Sequence, residues 1–468
     1  MFTEPGFDLT SLWDVIASTV AQRAPAFHGA GASIALADLA GASLLAGALE
    51  SLRDRRVLLV ARDQTLSALA LLELDGVARR VVLCTPDLDA ERLARVAATA
   101  QTDALLTDAL PTAQIPQLSI TAVMSAHLVP MPTQRRSTTA TEWILLTSGT
   151  SGAPKLVLHT LASLAGGLPG PSPGAPSVWS TFYDIRRYGG LQIYLRAALG
   201  CSSLVLSSAG EPVRELLKRA AAKGVTHMSG TPSHWRSALM SGAAGVLKPT
   251  YVRLSGEVAD QPLLDQLRAR YPKAQIAHAF ASTVAGVAFE VGDGLAGFPA
   301  EYLGDARNGV EMKVEAGTLR IRSQRTALRY LGDAPAIRSE DGFVDTGDLL
   351  ELHQGRYYFR GRQGGVINVG GLKVYPEEVE SVLNADPRVH MSLVRSRRNP
   401  IVGSVVVADV VLADALTSSI DARAAESVKS ELIEACRRTL PAHKVPAMLR
   451  IVPALELTAA GKMVRHGA

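Results

Sequence analysis

A chain of 468 residues with 47% hydrophobic and 20% charged residues can bury a sizeable core in two to three domains, which excludes disorder and a coiled coil. The 48 basic and 44 acidic residues leave a formal charge of +4, too balanced over this length to argue for nucleic acid, so a small-molecule partner is expected. Cys84, Cys201 and Cys436 lie far apart in neither a disulfide nor a metal-ligand pattern, which fits a reducing cytoplasm.

Met1 to Ala30 carries Glu4, Asp8 and Asp14 and no basic segment before an apolar run, so no signal peptide is expected. The longest uncharged stretch, Leu156 to Tyr183, is interrupted by Pro169, Pro171, Pro173 and Pro176, so no membrane span is expected. Val57 to Val60, a helical pattern at Leu66 to Leu74, Val81 to Cys84, a helix at Asp89 to Thr99 and Ala104 to Thr107 read as βαβαβ, hence a parallel sheet covered by helices. The rhythm resumes with strands at Ser177 to Phe182, Ser203 to Leu206, Val225 to Met228, Tyr251 to Leu254 and Gln275 to His278. Helices near Gly189 to Leu199, Glu211 to Ala222 and Gln261 to Arg270 alternate with them, which predicts a second parallel-sheet lobe.

From about Gly317 the pattern shortens to Thr318 to Ile321, Leu349 to Leu352 and Tyr357 to Arg360, separated by glycine turns, which predicts antiparallel strands. A smaller α+β unit follows, with helices at Pro376 to Leu383 and Ala424 to Arg438 and strands near Met391 to Val394 and Ser404 to Val411. The expected architecture is α/β: a large domain over 1–361, made of two parallel-sheet lobes and a short antiparallel region, and a small mobile α+β domain over 362–468.

The strand Trp143 to Leu146 runs into Thr147, Ser148, Gly149, Thr150, Ser151, Gly152, Ala153, Pro154 and Lys155. Glycines admit close backbone N–H groups, the hydroxyls donate, and lysine neutralises charge, a combination suited to a polyphosphate. Neither G-x-x-x-x-G-K-[ST] nor a helix-opening G-x-G-x-x-G is present, so Walker-type and dinucleotide readings lose support, while a solvated Ser/Gly linker stays open as the alternative.

This loop resembles the signature of the adenylate-forming superfamily, whose members convert a carboxylate and ATP into an acyl adenylate and pyrophosphate and then pass the acyl group to a thiol or other nucleophile. Further segments are similar to family motifs in the family's order: His278 to Thr283, Asp345 to Asp348 as T-G-D, Gly361-Arg362, Gly370 to Glu380, and Gly461 to Arg465 as the terminal G-K-x-x-R. The resemblance implies that Asp348 and Arg362 hold the ribose, Phe280 lies against the adenine, Thr283 bonds the α-phosphate, and Lys462 stabilises the charge that builds up during attack on it. It implies an acyl pocket lined by Tyr183, Asp184, Tyr188, His227, Ser229, Gly256, Ala281 and Val284. Gly370, Gly371 and Lys373 would form the thiol-transfer loop, and Gly364 would be the hinge about which the small domain turns.

In appearance the chain is closest to acyl- and aryl-CoA ligases, implying ATP, Mg²⁺ and CoA, or the phosphopantetheine of an acyl carrier protein, as cosubstrates. Asp184 is similar to the aspartate that clamps an amino group in peptide-synthetase domains, but Arg186 and Arg187 beside it favour an internal ion pair and a non-amino acid substrate. Val284 stands where the family has a Mg²⁺-ligating glutamate and cannot bind a hard cation, leaving phosphates and water, or another carboxylate such as Glu290, to hold the metal. Alternative expectations are a stand-alone adenylation enzyme of secondary metabolism that loads a carrier protein or an amine, and a catalytically weakened nucleotide-binding protein.

Overall fold

In the first lobe, apolar runs flanked by helices leave no face for solvent, so the strands pair in parallel. The computed structural model describes residues 11–45, 47–109, 115, 118–131, 135–147, 154–170, 176–369, 371–399, 403–413 and 422–456. Arg56–Val60 lies between Arg80–Cys84 and Ala104–Thr107, with Ile120–Val123 beyond the latter and Glu142–Thr147 parallel to Arg80–Cys84 on the other side. Lys155–Thr160 then returns antiparallel to Glu142–Thr147, and Arg329–Leu331 closes that edge. The predicted phosphate loop therefore joins two antiparallel strands.

The second lobe is an eight-stranded sheet in the order Gly286–Val291, Gln275–Ser282, Tyr251–Ser255, His227–Gly230, Val178–Thr181, Ser203–Val205, Ala26–His28, Ser33–Ala35. All neighbouring pairs are parallel except the two at the edges. Ala26–His28, too short for a periodic signal, joins this sheet rather than the one that follows it in sequence. A helix at Pro232–Met240 escaped the sequence reading. It is built on Pro232 in the first turn and a capping box in which the Thr231 hydroxyl accepts from the His234 N–H at 3.0 Å.

The helix Gln64–Leu74 is buried on every side because it lies between the lobes. Gln64 Nε2 donates to the Ser207 carbonyl at 2.9 Å, its Oε1 accepts from Ile185 N–H at 2.8 Å, and Tyr194 Oη donates to the Ala68 carbonyl at 3.0 Å.

The antiparallel region is a six-stranded sheet, ordered Phe298–Pro299, Arg356–Arg362, Val344–His353, Thr318–Ser323, Val310–Glu315, Gly304–Arg307. In the C-terminal unit, a hairpin of Val389–Asn399 and Gly403–Leu412, with Met448–Ile451 parallel to its second arm, packs on helices Pro376–Asn384 and Ala422–Thr439 through Val379, Leu383, Val394, Val410 and Leu432. Polar contacts tie this unit to the rest: Asp260 pairs with Arg236 and accepts from Asn384 Nδ2 at 3.5 Å, and Glu378 pairs with Arg360 at 3.4 Å. Among the described residues no helix is long and apolar enough to cross a membrane.

Candidate active site

Thr147 and Lys155 face each other across the base of the hairpin, with Thr147 Oγ1 3.4 Å from the Lys155 carbonyl. Ser148, Gly149, Thr150, Ser151 and Gly152 lie outside the described residues. Lys155 is exposed, its ammonium 5.3 Å from the centre of the Tyr330 ring. Four residues along the same strand, His159 is fully buried, and its Nε2 lies 2.7 Å from the backbone carbonyl of Thr283.

A carbonyl only accepts, so Nε2 carries the proton and Nδ1 accepts a hydrogen bond from the Ser163 hydroxyl 2.9 Å away. Burial pushes this imidazole down to about 4, against the pull of the Thr283 bond, so it is neutral. One side chain thus joins the phosphate hairpin to the loop bearing Thr283. Its only signal in the sequence was a single histidine in an otherwise apolar strand.

Asp348 and Arg362 are register partners on adjacent strands, and Arg362 Nε donates to Asp348 Oδ1 at 2.9 Å. The other oxygen, Asp348 Oδ2, is buried and has no hydrogen-bond partner among the described residues. A buried carboxylate oxygen without a donor costs free energy that a ligand hydroxyl would recover, so this site fits a ribose diol. At Gly361, φ is +123° and a Cβ would stand 2.5 Å from a Glu377 carboxylate oxygen, so glycine is required for this approach. Phe280, expected against adenine, stacks on Phe359 at 5.0 Å and 8° and on Phe289 at 5.9 Å and 19°, which links strand Gln275–Ser282 to the strand ending at Arg362.

Of the predicted pocket residues, His227 and Ser229 lie on one face of the second sheet. Parallel sheets are ordinarily apolar on both faces, yet here Trp179, His227, Ser229, Tyr251, Arg253 and Ser255 recur at alternate positions, covered by helix Tyr188–Leu199. Trp179, His227 and Tyr251 form an aromatic cluster with centroids 4.5 to 6.0 Å apart. Tyr183 is buried with its hydroxyl donating to the Ser255 carbonyl at 2.6 Å, the buried Tyr188 ring lies 5.8 Å from His159, and Gly256 ends the strand.

Asp184 is an internal ion pair: Arg186 Nε reaches Oδ1 at 2.8 Å and Nη2 reaches Oδ2 at 2.6 Å, which leaves no clamp for an amino group. Ala281 packs on the core that the two lobes share. Val284, expected in the pocket, instead packs with Ala285, Ala288, Val310 and Ile321 against the antiparallel sheet.

Sequence reasoning missed Arg196, Tyr251 and Arg253, although an arginine inside the apolar strand Tyr251–Ser255 was the available signal. Glu290 accepts from Arg253 Nε at 3.0 Å and from Tyr251 Oη at 2.6 Å. Burial raises its carboxyl pKa, but Arg253 and the Tyr251 hydroxyl outweigh that and hold it below the ordinary value. Glu290 is therefore committed to these partners and is not the spare metal ligand suggested for it. With valine at 284 and no group of three or more metal-binding side chains among the described residues, the protein atoms described do not fit a directly ligated Mg²⁺.

Gly364 lies in an exposed turn, Gln363–Gly365, where a Cβ would meet nothing within 4 Å. Gly371 and Lys373 are exposed residues of the hairpin Ile367–Val369/Leu372–Val374, and the Gly371 N–H donates to Asn368 Oδ1 at 2.9 Å. Gly370 and Lys462 lie outside the described residues.

The sequence family described as AMP-binding enzyme matches residues 37–321, and the family of the AMP-binding enzyme C-terminal domain matches residues 378–462. A fatty acid–acyl-carrier-protein ligase of Mycobacterium marinum is 31% identical over 36% of this chain and 31% of its own length. A 2-succinylbenzoate–CoA ligase of Salmonella typhimurium is 28% identical over 53% of each chain, and one of Geobacillus kaustophilus is 28% identical over 69% of this chain and 68% of its own. The chain thus spans about half or less of the length of the first two of these relatives. Among solved structures, the anthranilate CoA ligase AuaEII in complex with anthranoyl-AMP superposes with a TM-score of 0.78, at 17% identity over 97% of this chain and 95% of the other. The amide bond synthetase McbA from Marinactinospora thermotolerans gives 0.75, at 20% identity over 97% and 98%. At those identities the likeness is one of fold.

Proposed function

The chain belongs to the AMP-binding enzyme family, and from that premise we propose that it activates a carboxylic acid with ATP through an acyl adenylate and transfers the acyl group to a thiol, in the first instance CoA. The observation that carries this reading is the buried Oδ2 of Asp348 beside Arg362, which has no donor among the described residues and would receive the ribose hydroxyls at the T-G-D turn. The relatives named as CoA ligases support the thiol acceptor.

The ribose anchored on Asp348 and Arg362 fixes the α-phosphate toward the Thr283 loop, which His159 holds in place. A substrate carboxylate oxygen attacks the α-phosphorus, the bond to the bridging oxygen breaks, and pyrophosphate leaves with its electron pair. Charge rises on the phosphate oxygens in that transition state. Lys462, at the end of the C-terminal family match, supplies an ammonium there, as Thr283 supplies a hydroxyl donor. The thiolate then attacks the acyl carbon and AMP departs. Any Mg²⁺ travels with the ATP phosphates.

The M. marinum relative favours a second reading of the acceptor, the phosphopantetheine thiol of an acyl carrier protein. Pyrophosphate release measured over a panel of carboxylic acids, with CoA, with a phosphopantetheinylated carrier protein and with neither, tests both. Acid-dependent release with CoA-thioester formation is the expected result, and release that no acid stimulates would contradict the reading.

A further inference from the structure

Three polar groups on the pocket face of the second sheet are buried and have no hydrogen-bond partner among the described residues: Arg253 Nη2, Arg196 Nε and Ser229 Oγ. Arg253 is only 2% exposed. Its Nε is paired with Glu290 and its Nη1 lies 3.3 Å from Ser255 Oγ, so Nη2 is the one nitrogen left over. Arg196 projects from the covering helix and makes no ion pair among the described residues. Its guanidinium is disfavoured first by burial and then by the like charge of Arg253.

Arg325 also faces this region but is used up on the carbonyls of Val287 at 3.3 Å and Asn308 at 2.7 Å. On the acidic side stand Glu290, already engaged, and Glu257, whose carboxylate accepts from Ser233 N–H at 2.9 Å at the start of helix Pro232–Met240. Three guanidiniums thus stand against two carboxylates, both already engaged, and two of the three keep an unused donor among the described residues. Glu290 compensates Arg253, which leaves Arg196 as the buried guanidinium without an ion pair among the described residues, a costly arrangement that a fold does not retain for stability.

We propose that the acid activated by this enzyme carries a second anionic group, in the simplest case a second carboxylate, seated between Arg196, Arg253 and Ser229. The proposal deepens the adenylation reading and rests on it. The reacting carboxylate lies toward the carboxyl ends of the parallel strands, and Arg253 is two residues inside that end, so the second group sits roughly 7 Å deeper along the strand direction. Two guanidinium donors and a hydroxyl are left unpaired there, which a carboxylate would satisfy and an alkyl or unsubstituted aryl group would not.

The test is acid-dependent pyrophosphate release with matched pairs of acids of equal length, one member a monocarboxylate and the other carrying a terminal carboxylate, using the full chain and its Arg196→Met variant. In the wild type the dicarboxylate should exceed its partner in kcat/KM by roughly a hundredfold or more, because the monoacid leaves buried donors unpaired. Arg196→Met should erase most of that ratio, leave the KM for ATP unchanged, and melt no lower than the wild type, since it removes an unpaired cation. Equal turnover of the two acids by the wild type would overturn the proposal while leaving adenylation standing. Absence of release with any acid would overturn adenylation itself, and the proposal with it. An Arg196→Met variant that melts lower and loses activity equally on both acids would make Arg196 a structural residue and refute its role here.

Discussion

The imidazole Nε2–H of His159 donates a 2.7 Å hydrogen bond to the backbone carbonyl of Thr283, across 124 residues of sequence. The two belong to different lobes: one follows the phosphate hairpin, the other ends the strand Gln275–Ser282 of the second sheet. Moving either without the other breaks a buried bond, so the hairpin and the loop proposed to contact the α-phosphate are held as one body.

His159→Ala leaves the Thr283 carbonyl without its donor, at a cost of roughly 1 to 3 kcal/mol in stability. Acyl-adenylate formation should fall by at least about tenfold, with the loss in kcat rather than in the KM for ATP, because Thr283 is misplaced rather than removed. The wild type should lose stability as pH falls from 6.5 toward about 4, since the unfolded imidazole binds a proton there before the folded one does. Denaturant melts of wild type and variant across that window check this: the variant should lack this part of the acid loss.

Asp348→Ala removes the proposed ribose acceptor and frees Arg362. The KM for ATP should rise by tenfold or more, about 1.4 kcal/mol per decade, while the KM for the acid changes little. Steady-state kinetics with each substrate varied in turn gives the answer, and an unchanged KM for ATP would remove Asp348 from the nucleotide site.

Asp75 is buried in the first lobe, accepting from the Leu12 N–H at 2.8 Å and from Trp143 Nε1 at 3.0 Å, and burial pushes its carboxyl up to about 7. Between pH 4 and 7 the folded state holds a proton that the unfolded state has lost, so this group's contribution to stability falls as pH rises and is flat above about 7. Asp75→Asn should abolish that slope, worth roughly 2 to 4 kcal/mol across the window, as read from the difference between the two proteins' unfolding free energies.

Glu290→Gln separates a structural carboxylate from a metal ligand. Leaving Arg253 without its counter-charge should destabilise the protein by roughly 3 to 5 kcal/mol. The Mg²⁺ concentration that half-saturates activity should stay where it is. A shift in that concentration at unchanged stability would return Glu290 to the metal site.

Much of this was legible in the sequence where a periodicity or an ordered motif carried it. The helix at Gln261–Arg270 and the central strands of both lobes follow directly from apolar spacing, and Asp348 lies opposite Arg362 as two segments fourteen residues apart in adjacent antiparallel strands should. What escaped depends on pairing at long range. Ala26–His28 is three residues long and gains its strand only by hydrogen bonding to Ser203–Val205. Val284 reads as a pocket residue by its neighbours in sequence, but packs on a sheet formed some thirty residues later. Arg196 and Arg253 lie 57 positions apart and become one site only when the helix covers the sheet.

The central claim, that this chain forms acyl adenylates with a lysine near its C-terminus, is tested most directly by acid-dependent exchange of labelled pyrophosphate into ATP by the wild type and Lys462→Ala. The exchange reports the first half-reaction alone and needs no thiol acceptor. The account predicts exchange by the wild type with at least one carboxylic acid, and a fall of at least a hundredfold in Lys462→Ala, about 3 kcal/mol of transition-state stabilisation, with AMP binding retained. Exchange by Lys462→Ala at the wild-type rate would contradict it.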